Sequence, residues 1–471
     1  MKRPNVVFIF TDDQRFDTLS ALGNPEIETP NLDRLVARGT TFTHAHIMGG
    51  TAGAVCMPSR AMMLTGRTLF SLERQGQRIP EEHTAMPEHF RASGYATAHV
   101  GKWHQDRKSH ARCFSTGAKI FGFKKKQGWY EACNGHWHIP VHDFDPTTKY
   151  DPNGGYNEPS IEPFSSPYET TKDNGKHSAE VFTDAALEFI REHPTSEDSD
   201  KPYFLYLAHI APHDPRQYPA RLRERYSADR VTLPPNFATR HPFNNGELLI
   251  RDELLESFPR RPEPVKQHLA DYYAIITHID EQIGRILDTL EETGQAQNTI
   301  IVFSGDNGLA VGQHGLMGKQ NLYDHSVRVP LIFAGPGIPK NQKTDSLCYL
   351  LDIFPTLCNL TDLPIPETVE GKSLLPAIKE PTSTIRDTLH FAYKEFQRGV
   401  RKDHHKLIEY AVNGNRTRQL FDLKNDPLEM NNLADDPNQS QTLESLQTEL
   451  KRWQTDLGDT QEMGKQFWDN D

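Results

Sequence analysis

Four short runs of β-forming residues, each closing on a tight cluster of polar side chains, constrain this chain more than anything else in it. Val6-Val-Phe-Ile-Phe10 meets Thr11-Asp12-Asp13, and Tyr95 to Val100 meets Gly101-Lys102-Trp103-His104. Tyr203 to Leu207 leads towards Pro212-His213-Asp214, and Thr299 to Phe303 meets Ser304-Gly305-Asp306-Asn307-Gly308. Helical spacing lies between them: Pro30 to Arg38 closes on Gly39, and Leu269 to Glu292 ends before Gly294. Short strands alternating with helices read as an α/β domain built on a central sheet. In open sheets of this class ligands bind beyond the carboxyl ends of the strands, so the four polar clusters can meet in one cleft.

Near residue 375 the pattern changes to short strands, Thr388 to Tyr393, Lys406 to Ala411 and Arg418 to Asp422, followed by a polar amphipathic helix from Gln441 to Trp453. Strands followed by one helix suggest a small antiparallel α+β subdomain. The chain therefore divides into a catalytic α/β domain, 1–375, and a C-terminal subdomain, 376–471. The tail after Gly458 is expected to fray. Residues 105–175 have no clear period, and aromatic and His residues sit there among Gly, Pro, Asn and Asp. They read as a long surface excursion, which in a compact domain is more often functional than idle.

Composition closes off several classes. The 471 residues carry 52 Lys+Arg against 64 Asp+Glu, a net charge of -12, and the longest basic run is Lys124 to Lys126. Nucleic acid and anionic membrane surfaces are poor partners for such a chain. The apolar runs at Val6 to Phe10 and Thr299 to Phe303 fall far short of the roughly 20 residues that cross a bilayer, so no membrane insertion is expected. The apolar run behind Lys2 and Arg3 stops too early for a signal peptide, so the chain reads as cytoplasmic or as a mature periplasmic or secreted form. Five cysteines, Cys56, Cys113, Cys133, Cys348 and Cys358, are an odd number and do not make a disulfide framework.

The strand-end clusters hold the chemistry. Asp12 and Asp13 repel each other unless a cation lies between them or one is protonated. With Asp306 and Asn307 from another strand end they offer the oxygen donors of a hard divalent ion, although Asp and Asn also serve as ordinary turn residues. Cys56-Met-Pro-Ser-Arg60 places a cysteine just ahead of a helix expected over Ser59 to Thr65, where amide groups favour an anion. Position 56 is then either a thiolate nucleophile or a buried free cysteine. Arg60 lies one turn on, able to hold an anion or orient the side chain at 56. Lys102 and His104, two apart on an extended segment, face one side and suit anion binding and proton transfer. His213 and Lys319 are further candidates, the latter in the Gly-rich segment Gly312 to Gly318; His209 and His314 read as packing residues.

Together these motifs resemble the type I, formylglycine-dependent sulfatases of the alkaline phosphatase superfamily. The resemblance runs through Asn5 to Asp13, Thr29 to Asp33, Cys56 to Arg60 and on to Arg67, Gly101 to His104, Ala211 to His213, Ser304 to Gly308 and Leu420 to Pro427. It implies an alkaline phosphatase-like fold, a large mixed central sheet flanked by helices. It also implies Ca²⁺ held by Asp12, Asp13, Asp306, Asn307 and residue 56, and conversion of Cys56 to formylglycine by a formylglycine-generating or anaerobic maturase enzyme. In the implied mechanism a gem-diol hydroxyl at 56 attacks sulfur to give a covalent sulfo-enzyme. Lys102 and Lys319 neutralise the sulfate oxygens, His213 and Lys319 serve the leaving alcohol, Arg60 holds the hydrated aldehyde, and His104 takes the proton that lets sulfate depart. The implied substrate is a sulfated carbohydrate; independently, the aromatic and His residues of 129–156, Trp137 and His138 among them, suit stacking on and hydrogen-bonding to sugar rings. The rivals are a phosphodiesterase or phosphonate monoester hydrolase on the same scaffold, a small aryl or alkyl sulfatase, and a non-catalytic Ca²⁺-stabilised carbohydrate-binding protein.

Overall fold

The computed structural model describes residues 3–121, 136, 141, 176–460 and 462–469, and the backbone of 171–172. Trp137 and His138 lie outside the described residues. The largest sheet has eight strands in the order Gln342–Thr344, Gly39–Phe42, Leu331–Ala334, Thr299–Gly305, Asn5–Thr11, Tyr203–Ala208, Ala96–Lys102, Thr116–Phe121. It is a mixed sheet, because Leu331–Ala334 runs against both of its neighbours while the pairings among the last five strands are all parallel. Each of the four strands read from sequence is present, and they are the four adjacent central strands of that parallel run.

The continuous apolar character of three of them follows from burial on both faces. Successive side chains point to opposite sides, so Phe8, Phe10, Tyr206 and Val302 join one core while Val7, Ile9, Leu205 and Phe303 join the other. Helices Pro30–Arg38, Ser178–Glu192 and Pro262–Glu292 cover the second face through Leu35, Phe182 and Ile276. Cys56–Thr65, Met86–Ala92 and Ile353–Leu360 cover the first through Met63, Phe90 and Phe354. The long helix starts at Pro262, seven residues before the apolar spacing becomes clear, because Pro at its first position is already set for helix.

The C-terminal strands form an antiparallel set, Thr388–Tyr393, Gln397–Lys402, His405–Val412 and Asn415–Asp422. Gly49–Gly50, a few residues before Cys56, adds a short parallel strand to its edge. Phe391, Tyr393, Tyr410 and Phe421 belong to the same apolar core as Phe8 and Phe10. On the other face of this sheet Val400, Leu407 and Leu420 pack with Leu446 and Leu450 of the helix Ser440–Asp456.

The tail corrects the sequence reading. It does not fray after Gly458: a helix spans Glu462–Trp468, and Phe467 and Trp468 are buried in the C-terminal core. Trp468 Nε1 donates to Asp459 Oδ2 at 2.9 Å, and Asp459 also receives Arg398 Nε at 2.6 Å. Two large aromatic rings outweigh the polar residues around them.

Candidate active site

Because the four central strands are parallel and adjacent, their carboxyl ends open on one side of the sheet. Phe10 pairs with Ser304 and with Ala208, and Ala208 pairs with Gly101, so Asp12, Asp306 and Lys102 leave the sheet at neighbouring points. Gly101 is required at its position: its φ is +99°, and a Cβ there would collide with the carbonyl of Ala208 on the next strand. Asp13 and His104, both non-glycine, take left-handed φ values of 67° and 74°, a strain of order 1–3 kcal/mol each. Asp13 is held there by its own N–H, which donates to Asp306 Oδ1 at 3.0 Å, and by its carbonyl, which accepts Tyr272 OH at 2.5 Å.

The helix after the Gly49–Gly50 strand begins at Cys56 itself, three residues earlier than expected from sequence, so Cys56 sits in the first turn. Its Sγ lies 3.4 Å from His104 Nδ1 and 3.6 Å from Lys102 Nζ. Lys102 Nζ also pairs with Asp12 Oδ2, and Lys319 Nζ pairs with Asp13 Oδ1 at 2.5 Å. His213 Nε2 approaches the other oxygen of Asp13 at 3.7 Å, while its Nδ1 lies 2.8 Å from the Asp214 carbonyl. Arg60 is directed at Asp306, with Nε donating to Oδ2 at 2.9 Å and Nη1 reaching the Lys102 carbonyl and Tyr206 OH, each at 3.3 Å. Asn307 Nδ2 donates to Asp13 Oδ1 at 2.7 Å. The nine candidates at the strand ends and on the Cys56 helix, together with Lys319, are thus gathered in one cleft.

Electrostatics divide the groups. Burial pushes the Cys56 thiol up to about 12, and Lys102 and Lys319 do not offset it. With no metal bound, burial thus favours the thiol over the thiolate at position 56. Burial, and then Lys102, hold the His104 imidazole well below its ordinary value, so it is neutral. Burial raises Asp12, but Lys102, His213, Arg60 and Lys319 outweigh it and keep that carboxyl well below the usual range. Asp306 is pushed to about 7 by burial and by the charge of Asp12, against the pull of Arg60 and Lys102.

These residues fit a divalent cation. Asp12 Oδ1 and Asn307 Oδ1 are buried with no hydrogen-bond partner, and the ligand atoms of Asp12, Cys56 and Asp306 lie within 4.8 Å of one another. A set of three carboxylates and an amide oxygen is the chemistry of a hard ion.

Sequence reasoning missed the residues that shape this cluster from behind. Tyr206 and Tyr272 hold Arg60 and Asp13 with their hydroxyls; from sequence they are unmarked members of the strand from Tyr203 and the helix from Leu269. His314 stacks on Tyr323 with centroids 4.0 Å apart, a packing role as read.

A family profile described as Sulfatase matches residues 4–363, and one described as N-sulphoglucosamine sulphohydrolase, C-terminal, matches residues 312–456. The chain is 26% identical to N-acetylglucosamine-6-O-sulfatase of Bacteroides thetaiotaomicron, an alignment that covers 100% of this chain and 88% of that protein. It is 28% identical to ulvan-active sulfatase of Formosa agariphila, over 97% of this chain and 82% of that protein. Its fold matches a solved structure in complex with its substrate D-glucosamine-2-N,6-O-disulfate, with a TM-score of 0.75 at 23% identity over 98% and 99% of the two chains.

Proposed function

Because this chain belongs to the sulfatase family and is a sulfuric ester hydrolase, we propose that it removes sulfate from a sulfated oligo- or polysaccharide, with formylglycine at position 56 and Ca²⁺ at Asp12, Asp13, Asp306 and Asn307. The observation that carries the chemistry is the convergence of Lys102 and His104 on the side chain at 56, beside four buried oxygen donors. The saccharide is supported by relatives aligned over most of their length, named N-acetylglucosamine-6-O-sulfatase and ulvan-active sulfatase.

When bound, the cation supplies positive charge against the sulfate oxygens, and formylglycine supplies an aldehyde where cysteine offers only a thiol. The protein's own groups do the rest. Lys102 and Lys319 are held as ammonium ions: burial pulls each down, but Asp12 beside Lys102 and Asp13 beside Lys319 more than offset it. They bind the sulfate and stabilise the charge that shifts during transfer. His104, a neutral imidazole with Nδ1 directed at residue 56, accepts a proton from the group carried there. Arg60 fixes the Asp306 carboxylate through Nε, and its buried Nη2, with no hydrogen-bond partner among the described residues, is left to hold the hydrated aldehyde. His213 donates Nδ1–H to the Asp214 carbonyl, which turns Nε2 into the cleft next to Asp13. Nε2 of His213 and Nζ of Lys319 meet the same carboxylate from its two oxygens, and there they serve the oxygen of the departing alcohol.

The test is free sulfate released from a panel of sulfated mono- and oligosaccharides, alongside aryl sulfates and phosphonate monoesters, by protein co-expressed with a maturase. Sulfate from at least one saccharide, at a kcat/KM above that for aryl sulfate, is the expected result. Turnover confined to aryl or alkyl sulfates, or to phosphonates, would replace the reading.

A further inference from the structure

His213 and Lys319 come from distant parts of the chain, yet a proton donor works only when held within hydrogen-bond reach of its target. One turn touches the flanks of both. Arg251 Nη1 donates to Asp214 Oδ1 at 2.7 Å and Nη2 to Oδ2, and Asp214 is the residue whose carbonyl orients the His213 ring. Asp252 Oδ2 accepts Gln320 Nε2 at 2.7 Å, and Gln320 Oε1 accepts the backbone N–H of Lys319 at 3.0 Å. Glu253 accepts the amides of Met317 at 2.8 Å and Gly318 at 2.9 Å, the two residues before Lys319. Arg260, fully buried, holds Glu253 Oε2 at 2.5 Å. Gln320 Nε2 also donates to the Gly53 carbonyl at 2.8 Å, which ties the turn to the approach to Cys56.

Three consecutive side chains therefore reach the neighbours of His213, Lys319 and Lys319 again. Apolar packing of this turn is partial: Leu248 lies against the main core, while Leu249 is 79% exposed and Leu254 60% exposed. The contacts of residues 251–253 to the catalytic flanks are polar. We propose that Arg251, Asp252 and Glu253 are positioning residues that fix the distance between His213 Nε2 and Lys319 Nζ, and so the two groups that assist departure of the alcohol. This rests on the assignment of His213 and Lys319 to the leaving group made above.

Positioning of a leaving-group acid has a signature that general support of the fold lacks. 4-Nitrophenoxide departs without protonation, whereas 4-methoxyphenoxide depends on it, and the two aryl sulfates present nearly the same ring to the cleft. Arg251→Ala, made on the matured enzyme, is expected to lose about 10- to 100-fold in kcat on 4-methoxyphenyl sulfate and less than about 3-fold on 4-nitrophenyl sulfate, with Arg251→Lys recovering part of the loss; Asp252→Ala, which acts through Lys319 and so on the sulfate as well, is expected to lose on both substrates, by the larger factor on 4-methoxyphenyl sulfate. Equal losses on both substrates, or no loss on either, would overturn the proposal. His213→Ala separates the two layers of the argument. If it shows the leaving-group dependence and the turn variants do not, the clamp alone is wrong; if it shows none, the leaving-group assignment falls and the clamp with it.

Discussion

With no metal bound, Asp306 should contribute stability that is lost as pH rises from acid to neutral. Its carboxyl is raised from 3.8 to about 7 by burial and by Asp12, so the metal-free folded state binds a proton there that the unfolded chain has already released. A folded-state value above the unfolded one gives stability that is complete below about 4 and lost as pH climbs to about 7. At ~1.4 kcal/mol per pH unit that window amounts to roughly 4 kcal/mol, to be shared with Asp12 because the two carboxylates titrate as a pair. Asp12, held low, acts in the opposite sense but only below its own unfolded value, outside this window. The measurement is urea unfolding of chelator-treated wild type and Asp306→Asn at pH 5 and pH 8. Wild type should lose up to about 3 kcal/mol more than the variant between the two conditions, since only the part of the window from pH 5 to about 7 is sampled, and excess Ca²⁺ should remove the difference by taking the place of the proton. Parallel losses in both proteins would refute the account of Asp306.

Cys56→Ala should abolish sulfate release, and peptide mass spectrometry of matured wild type should find an aldehyde at 56; retained turnover in the variant would reject the mechanism. Gly101→Ala combines a left-handed φ with a collision against Ala208, so it should destabilise by more than about 1 kcal/mol and displace Lys102, read as a fall in both melting temperature and kcat. Truncation after Gly458 removes Phe467 and Trp468 from the C-terminal core and should cost about 3–5 kcal/mol or more in unfolding experiments. A truncated chain with unchanged stability would restore the idea of a frayed tail.

The elements legible in the sequence were those whose own side chains specify them. Pro30–Arg38 was read to the residue, since Pro opens the helix and Gly39 follows it. Three of the four central strands were legible because burial on both faces demands continuous apolar runs, while Ala96–Lys102, which buries Thr97 and His99, was legible from its β-forming residues and the polar cluster that closes it. The strand Gln397–Lys402 was not: Gln-Arg-Gly-Val-Arg-Lys has no apolar alternation, and it is buried because Arg398 finds Asp459 and Arg401 lies 3.8 Å from Asp324. A polar strand of that kind becomes buried only when partners from distant parts of the chain neutralise it.

The same division runs through the cleft. Residue types at strand ends marked Asp12, Asp13, Lys102, His104, His213, Asp306 and Asn307 as chemistry, because donors and charges clustered where a sheet must end; Cys56 stood out by its place ahead of a helix and Lys319 by its Gly-rich segment. Which cation faces which carboxylate, that Arg60 pairs with Asp306, that burial raises the Cys56 thiol, and that residues 251–253 reach two distant loops were decided by tertiary structure alone. Spacing along a chain encodes local geometry. Burial and the pairing of charges depend on distances across the fold, and those exist only once the sheet has set its strand order.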